Sequence, residues 1–453
     1  MTAAREPRHE VSGARRATES PCPRCGTLCP AELVEQDGDW YLVRRCPRCG
    51  EERVLHKRDA AFHERLRRVI DHGQATRSGS VFTPLGGAPP PATEIKIDVT
   101  ERCNYTCPAC FSQSSPDVQG GLPLELIRAE CERLARLPNP PEISVIGGEP
   151  TLRKDLPELL EWLRGAGFAV KLNTNGHVVD RAMVDRFRAA GLRSVVLQFD
   201  GLDDRVHAVL RGHEGLTARK LELIRLLGEA GIQVVLVATV VEGLNDDHVG
   251  RMIQLGLESE HVAQVSFLPV ANLGRSALGA GTSRDFDLAR FLDRVGEQTG
   301  GRVTKDDFVD AARKWQTVGR WAGFVLRKRS FAASARTCLL GTFAVGRAGD
   351  YVALNRLTSP GAALRHWRKG AAAARAAGSI LGWRAGRGAA RGVVGIFVEK
   401  FLDAERMDYA EARNCTKYYL TPAGYVTDCV YNALVRGRPQ SFHSLPPPSP
   451  PRR

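Results

Sequence analysis

Residues 95–110, IKIDVTERCNYTCPAC, run from a short β-like stretch directly into three cysteines, Cys103, Cys107 and Cys110, spaced C-x3-C-x2-C. Thiolates this close on one loop converge on a metal centre more readily than they pack. A 4Fe–4S cluster has four irons, each wanting a ligand, and a tetrahedral zinc also wants four donors. Three thiolates leave one position open, and what fills it separates a structural loop from a catalytic one.

The surrounding chain says where this loop sits. After IKIDV come the β-rich runs EISVIG, AVKLNTNG, SVVLQFDG, IQVVLVATVV and AQVSFLP. Helical patterns separate them near 123–137, 156–165, 180–190, 216–230 and 246–257. Strands alternating with helices pair in parallel through right-handed crossovers. Six such units are too few for a closed eight-stranded barrel, so the expected fold is α/β, a partial (βα)6 TIM-like barrel over 94–275. Ligand sites in such folds lie at the C-terminal strand ends. The cysteine loop, GGEPT (Gly147–Thr151), NTNG (Asn173–Gly176) and FDG (Phe199–Gly201) all fall at that rim.

C-x3-C-x2-C after the first strand and GGEP after the second resemble the radical S-adenosylmethionine superfamily. The resemblance implies that Cys103, Cys107 and Cys110 hold a 4Fe–4S cluster whose fourth iron is chelated by S-adenosylmethionine. It implies reductive cleavage of the sulfonium, giving a 5′-deoxyadenosyl radical that takes hydrogen from an unactivated C–H bond. GGEP would contact the amino group of S-adenosylmethionine, with Glu149 as acceptor, Gly147 and Gly148 bringing backbone close, and Pro150 completing the turn. Asn175, Gln198 and Val240 are the further cofactor-binding candidates, near the ribose and the adenine, with turn chemistry in a strand-to-helix loop the equal alternative for Asn175. Asp200 reads equally as a ligand or as a turn residue. The family often has an aromatic residue just before the third cysteine; here it is Ala109, and Phe111 is placed to shield the cluster instead.

CPRCG occurs twice, placing Cys22, Cys25, Cys46 and Cys49 in C-x2-C-x20-C-x2-C. Each Pro/Gly knuckle turns two sulfurs toward one ion, so 21–60 reads as a zinc-ribbon or rubredoxin-like module with one zinc or iron ion. DGDWYLVRRCPRCG suits a hairpin carrying the second knuckle. A structural metal is the preferred role, electron entry the sharper alternative. Cys29 reads as a spare thiol. Cys131 lies on the stripe Leu124, Ile127, Cys131, Leu134 and reads as core.

Cys338, Cys415 and Cys429 remain. NCTKYYLTPAGYVTDCVYN reads as a hairpin flanked by cysteines, similar to auxiliary cluster-binding hairpins after radical S-adenosylmethionine barrels, and the three are expected to hold an auxiliary Fe–S cluster; buried free thiols are the alternative. The motif order resembles a subset that includes archaeal tetraether lipid synthases and radical methylases of pterin precursors. Where that subset carries a Cys- and Pro-rich run after TKDDF, this chain has VDAARKWQTVGRW. Val393, Val394, Phe397, Val398 and Phe401 follow an Arg-rich run at helical spacing. They suggest a basic amphipathic helix, resting on anionic lipid or packed on the barrel.

The formal net charge is +13, which suits an acidic partner or reflects an Arg- and Ala-rich composition. No apolar run is long enough for a membrane-spanning helix. Clustered cysteines without a secretory signal point to a reducing, cytoplasmic setting, with peripheral membrane contact as a variant. Residues 1–20 and the Pro-rich 441–453 read as disordered tails, 75–93 as a linker, and 276–440 as an α+β C-terminal extension. The expected partners are a small-molecule or lipid substrate and an electron donor such as a ferredoxin or flavodoxin. The leading expectation is a radical enzyme acting on an apolar, lipid-like substrate. The alternatives are a cofactor precursor, peptide or RNA as target, or a non-enzymatic redox sensor or nucleic-acid binder. No RNA-binding aromatic motif supports the last of these.

Overall fold

The computed structural model describes residues 13–71, 80–276, 286–314, 338–358 and 392–436. Four antiparallel strands open the chain: β1 Arg15–Pro21, β2 Leu28–Gln36, β3 Asp39–Cys46 and β4 Gly50–Lys57, paired in chain order. The tail expected over 1–20 therefore gives way to strand by Arg15. Asp37 and Gly38, at φ of 53° and 81°, close the β2–β3 hairpin, the left-handed pair that matches strand twist in a two-residue loop. The two CPRCG knuckles fall in the β1–β2 and β3–β4 turns, at the same end of this sheet.

Helix α1 (Ala60–Asp71) follows, then β5 (Phe82–Pro84), which pairs with a C-terminal strand and ties down part of the expected linker. The central series is β6 Glu94–Thr100, β7 Ala109–Cys110, α2 Leu124–Ala135, β8 Glu142–Gly147, α3 Leu156–Gly165, β9 Val170–Thr174, α4 Arg181–Ala189 and β10 Ser194–Gln198. It continues with α5 Asp204–Arg211, α6 Leu216–Glu229, β11 Gln233–Val240, α7 Val249–Glu258, β12 Val262–Pro269, β13 Arg275–Ser276 and α8 Leu288–Gln298. Strands β14 Leu339–Arg347, β15 Asp350–Ala353, β16 Val393–Glu399, β17 Lys417–Thr421 and β18 Gly424–Thr427 complete it.

One twelve-stranded sheet has the order β15-β14-β16-β12-β11-β10-β9-β8-β6-β17-β18-β5. The six expected strands, β6 and β8 to β12, pair in parallel at its centre, so the α/β partial barrel is present. The C-terminal extension prolongs the parallel run at both ends, β16 beside β12 and β17 beside β6. The expected cysteine-flanked hairpin is β17–β18.

Alternation sets the two faces. Ile95, Ile97 and Val99 of β6, Ile143 and Val145 of β8, and Val195 and Leu197 of β10 are at most 1 % exposed. They pack with Ile127, Cys131 and Leu134 of α2 and Leu159, Leu160 and Leu163 of α3 in one core. At about 25 cal/mol per Å² of apolar surface, this burial is the main term holding helices to sheet. Cys131 is core, as its helical position required.

The helix expected over 393–401 does not form. Val393–Glu399 is β16, hydrogen-bonded to β12 on one side and β14 on the other. Val394, Ile396 and Val398 are fully buried. A short β-branched apolar run has the same composition as one face of a helix, and only two neighbouring strands decide for extended backbone. No lipid-binding helix exists there. Among the described residues, no helix is long and apolar enough to cross a membrane.

Candidate functional site

The cysteine loop leaves β6 and is held in place by backbone. Cys103 N–H donates to Ser115 O at 3.0 Å. β7, which contains Cys110, pairs with β13, placing Cys110 opposite Arg275. Arg275 Nε donates to Cys107 O at 2.8 Å, and its guanidinium also reaches Ser114 O. Cys103 and Cys107 are buried, Cys110 is half-buried, and the three pack with Tyr105 and Leu216. Burial pushes the Cys103 thiol up to about 12 and raises that of Cys107, with the neighbouring cysteines adding to the rise. Thiols forced together in a place hostile to thiolates fit a cationic centre, which would reverse that penalty. The donor set therefore fits a cluster held by three thiolates.

GGEP lies against this loop. Gly148 N–H donates to Thr100 O at 2.7 Å and Glu149 N–H to Arg102 O at 2.9 Å. A Cβ on Gly147, whose φ is 141°, would lie 2.1 Å from Thr100 O, and one on Gly148 2.2 Å from Arg102 O. These glycines let two backbones touch, bringing GGEP to the cysteine loop. Pro150 opens a single 3₁₀ turn, Pro150–Leu152.

The Glu149 carboxylate is fully buried and joins the β8 loop to the β9 loop. Oε1 accepts from Thr151 N and Oγ1 and from Thr174 Oγ1 at 3.1, 2.6 and 2.7 Å; Oε2 accepts from Asn175 N at 2.7 Å. Burial raises its pKa and these four bonds oppose the rise. Asn175 in turn donates Nδ2 to Asn104 Oδ1 at 2.8 Å, inside the cysteine loop. Cys103, Glu149 and Asn175 thus belong to one connected rim.

Lys220, on α6, was not singled out by sequence. Its Nζ donates to Asn175 O, Gln198 O and Gln198 Oε1 at 2.9, 2.6 and 2.9 Å. Burial lowers its pKa to about 7. Gln198 also donates to Asp200. Asp200 does more than turn the chain: its two oxygens take Arg211 Nη2 and Nε, both at 2.7 Å. Burial works against this carboxylate, but Arg211 wins and holds its pKa below the usual range. Arg211 also donates to Ala109 O at 3.2 Å, in the cysteine loop, and to Thr239 Oγ1 at 2.9 Å. The missed signal was a basic residue at the end of the short helix after FDG, α5, which the sequence reading does not assign. Val240 is 1 % exposed and packs in the core with Leu236 and Ala238. Its side chain therefore faces the helices, and it is the adjacent Thr239 that faces the other way.

The sheet face turned from the helices carries Asn173, Gln198, Val237, Thr239, Gln264 and Ser266, all half-buried. Lower on the same face, Lys171 pairs with Glu142 at 2.8 Å and Lys417 with Glu399 at 2.7 Å. This surface is mainly polar, with half-buried Ile146, Val196 and Leu268 standing among its amides and hydroxyls.

Sγ atoms of Cys22, Cys25, Cys46 and Cys49 all lie within 4.8 Å of one another, so the N-terminal four meet as their spacing required. Cys29 is outside the set; it is buried and donates to Thr27 O at 3.0 Å. Cys338, Cys415 and Cys429 share a second neighbourhood. Burial raises the Cys429 thiol well above its ordinary value, and the charges of Cys338 and Cys415 add to it.

A family model described as the radical SAM superfamily (SAM, S-adenosylmethionine) matches residues 97–256, and one described as the HMPTM N-terminal zinc ribbon domain matches 15–58. The chain is 33% identical over 308 residues to 7,8-dihydro-6-hydroxymethylpterin dimethyltransferase of Methanocaldococcus jannaschii, covering 65% of this chain and 60% of that protein. It is 32% identical over 181 residues to Fe-coproporphyrin III synthase of Methanosarcina barkeri, covering 40% of this chain and 44% of that protein. It thus spans between about two fifths and three fifths of the length of these relatives. A crystal structure of Streptococcus suis SuiB bound to precursor peptide SuiA aligns with a TM-score of 0.40 and 20% identity, over 46% of this chain and 45% of that one. Residues 97–256 thus match the radical SAM superfamily, and ahead of them residues 15–58 match a zinc ribbon of the HMPTM type.

Proposed function

We propose that this protein is a radical SAM enzyme that modifies a polar, planar heterocyclic cofactor precursor of the pterin or porphyrin class. One observation carries the reading: a three-thiol loop clasped to GGEP and NTNG stands at the rim of a sheet face lined by amides, hydroxyls and ion pairs. Such a face offers further hydrogen-bonding capacity to a heteroaromatic edge, which an alkyl chain would not use. The two relatives named for a pterin and a coproporphyrin product support the same class. This takes the place of the lipid-like substrate favoured from sequence, which neither named relative supports.

When bound, the cluster and SAM supply reductive cleavage and a radical that takes hydrogen from carbon. The chain's own part is positional. Cys103, Cys107 and Cys110 would hold the cluster, and Glu149 fixes the GGEP and NTNG loops that face it. Lys220 ties the ends of β9 and β10 together, keeping Asn175 and Gln198 in register with the cluster. Arg211, neutralised by Asp200, braces the cysteine loop from below. Cys338, Cys415 and Cys429 are the ligands we assign to an auxiliary cluster, and a low-potential protein of ferredoxin or flavodoxin type is the proposed electron donor.

The test is formation of 5′-deoxyadenosine by the anaerobically reconstituted protein with SAM and a strong reductant. It is run alone and with 6-hydroxymethyl-dihydropterin, coproporphyrinogen or a dispersed lipid extract. Stimulation by a heterocycle and methylation or oxidation of it supports the reading. Stimulation by lipid alone sinks it.

A further inference from the structure

The zinc ribbon docks on the C-terminal extension through a set of buried polar contacts. Arg44, 1 % exposed, donates to Glu405 O at 2.6 Å and to Ser20 Oγ at 3.1 Å. Arg413 meets Glu19 at 2.6 Å. Thr18 on β1 donates to Asp408, which caps the short helix Tyr409–Arg413 through Ala410 N–H at 2.9 Å. In the middle of this seam lie His56, Asp408 and Glu411, and one potential ligand atom of each lies within 4.8 Å of the other two.

His56, like the nearby His63, has a ring that the protein contacts leave unexplained, and it alone of the two faces carboxylates. Its side chain is 1 % exposed, yet neither ring nitrogen has a well-formed hydrogen bond, although the Arg406 backbone approaches the ring. Nε2 points at Glu411 Oε2, 3.9 Å away. A buried imidazole with orphaned nitrogens is rare and asks for a missing partner. The carboxylates add a second demand. Asp408 is buried, and its pKa is raised by that burial and by the charge of Glu411. Lys57 satisfies Glu411 at 2.6 Å. Two carboxylates and a neutral imidazole meet here in a largely dry seam, with Lys57 and the Arg406 charge as the neighbouring cations.

We propose that His56, Asp408 and Glu411 form a binding site for a divalent transition-metal ion, one that staples the zinc ribbon to the C-terminal extension. Nitrogen plus two carboxylate oxygens is a donor set for zinc, manganese or ferrous iron, and unlike the ribbon it contains no sulfur. Donors about 2 Å from one ion lie roughly 3.3 Å apart. Side-chain movements of about an ångström therefore close the site, and Lys57 keeps a carboxylate oxygen to pair with. The ion would satisfy one His56 nitrogen and leave the other to the Arg406 backbone, the usual second bond of a ligating histidine.

The experiment is cobalt(II) titration of the metal-stripped full-length chain, read optically and by metal analysis. The wild type is compared with His56→Phe, which fills the ring's space, and Asp408→Ser, which keeps the helix cap. The cysteine sites, the ribbon among them, should give intense thiolate-to-cobalt bands in all three proteins. The wild type should bind one further cobalt with only weak d–d absorption, and both variants should lose that equivalent. Zinc should compete for it. If the wild type shows no thiolate-free cobalt, or if both variants retain it, the proposal is overturned. The wild-type titration decides even if a variant fails to fold.

Discussion

Glu149 Oε2 accepts the Asn175 backbone N–H at 2.7 Å, and Asn175 Nδ2 reaches Asn104 between the first two cluster cysteines. One buried carboxylate therefore ties the GGEP loop to NTNG, which in turn reaches the cysteine loop. Glu149→Gln puts an amide N–H against a donor whichever way the side chain turns. It should cost about 1–3 kcal/mol of stability, measured by denaturant unfolding. An unchanged midpoint would show that the clasp is not formed.

Gly148→Ala tests the contact from the other side. Its Cβ would lie 2.2 Å from Arg102 O and 2.7 Å from Glu101 O, so the cysteine loop must move. Iron per chain after reconstitution should fall by up to about the four irons of one cluster, while ribbon zinc is kept. Full iron loading would mean that the two loops are independent.

The two metal sites should separate cleanly. Cys103→Ala, Cys107→Ala or Cys110→Ala should remove about four irons per chain, leave the iron held by Cys338, Cys415 and Cys429, and abolish 5′-deoxyadenosine, with zinc unaffected. Cys46→Ser should do the reverse, losing zinc and keeping the iron chromophore. Loss of both metals from either variant would tie the ribbon to the cluster.

Lys220 gives a pH signature. Its folded pKa is lowered to about 7 by burial, against about 10.4 in the unfolded chain. Between these values the unfolded chain holds the extra proton, so this group makes stability rise with pH, by up to about 1.4 kcal/mol per unit. Below pH 7 its cost is constant. Lys220→Met should remove that slope between pH 7 and 9 in urea unfolding. Parallel pH profiles for the two proteins would show that the ammonium titrates normally.

Ile396 is fully buried in β16. Ile396→Ala should cost about 2–5 kcal/mol, as for a core strand. Phe397→Asp should leave co-sedimentation with anionic vesicles unchanged. A loss of vesicle binding would restore the lipid-facing helix.

The six central strands and most of their helices were legible because each strand is a short β-branched run alternating with a helical apolar stripe, a pattern that local sequence carries alone. The cysteine triplet, GGEP and the paired CPRCG knuckles were legible for a related reason, since ligands close in sequence need only a turn to converge. Tertiary structure decided what local pattern leaves degenerate. Residues 393–399 satisfy both a helix stripe and a buried strand, and β12 and β14 chose between them. Lys220, Arg211 and His56 are ordinary residues in sequence, and they became informative only when burial removed water and left their partners to be counted. Glu149 was visible as a motif, but its clasp on Thr174 and Asn175 was not, because hydrogen bonds between loops 25 and 26 residues apart exist only once parallel pairing has put those loops side by side.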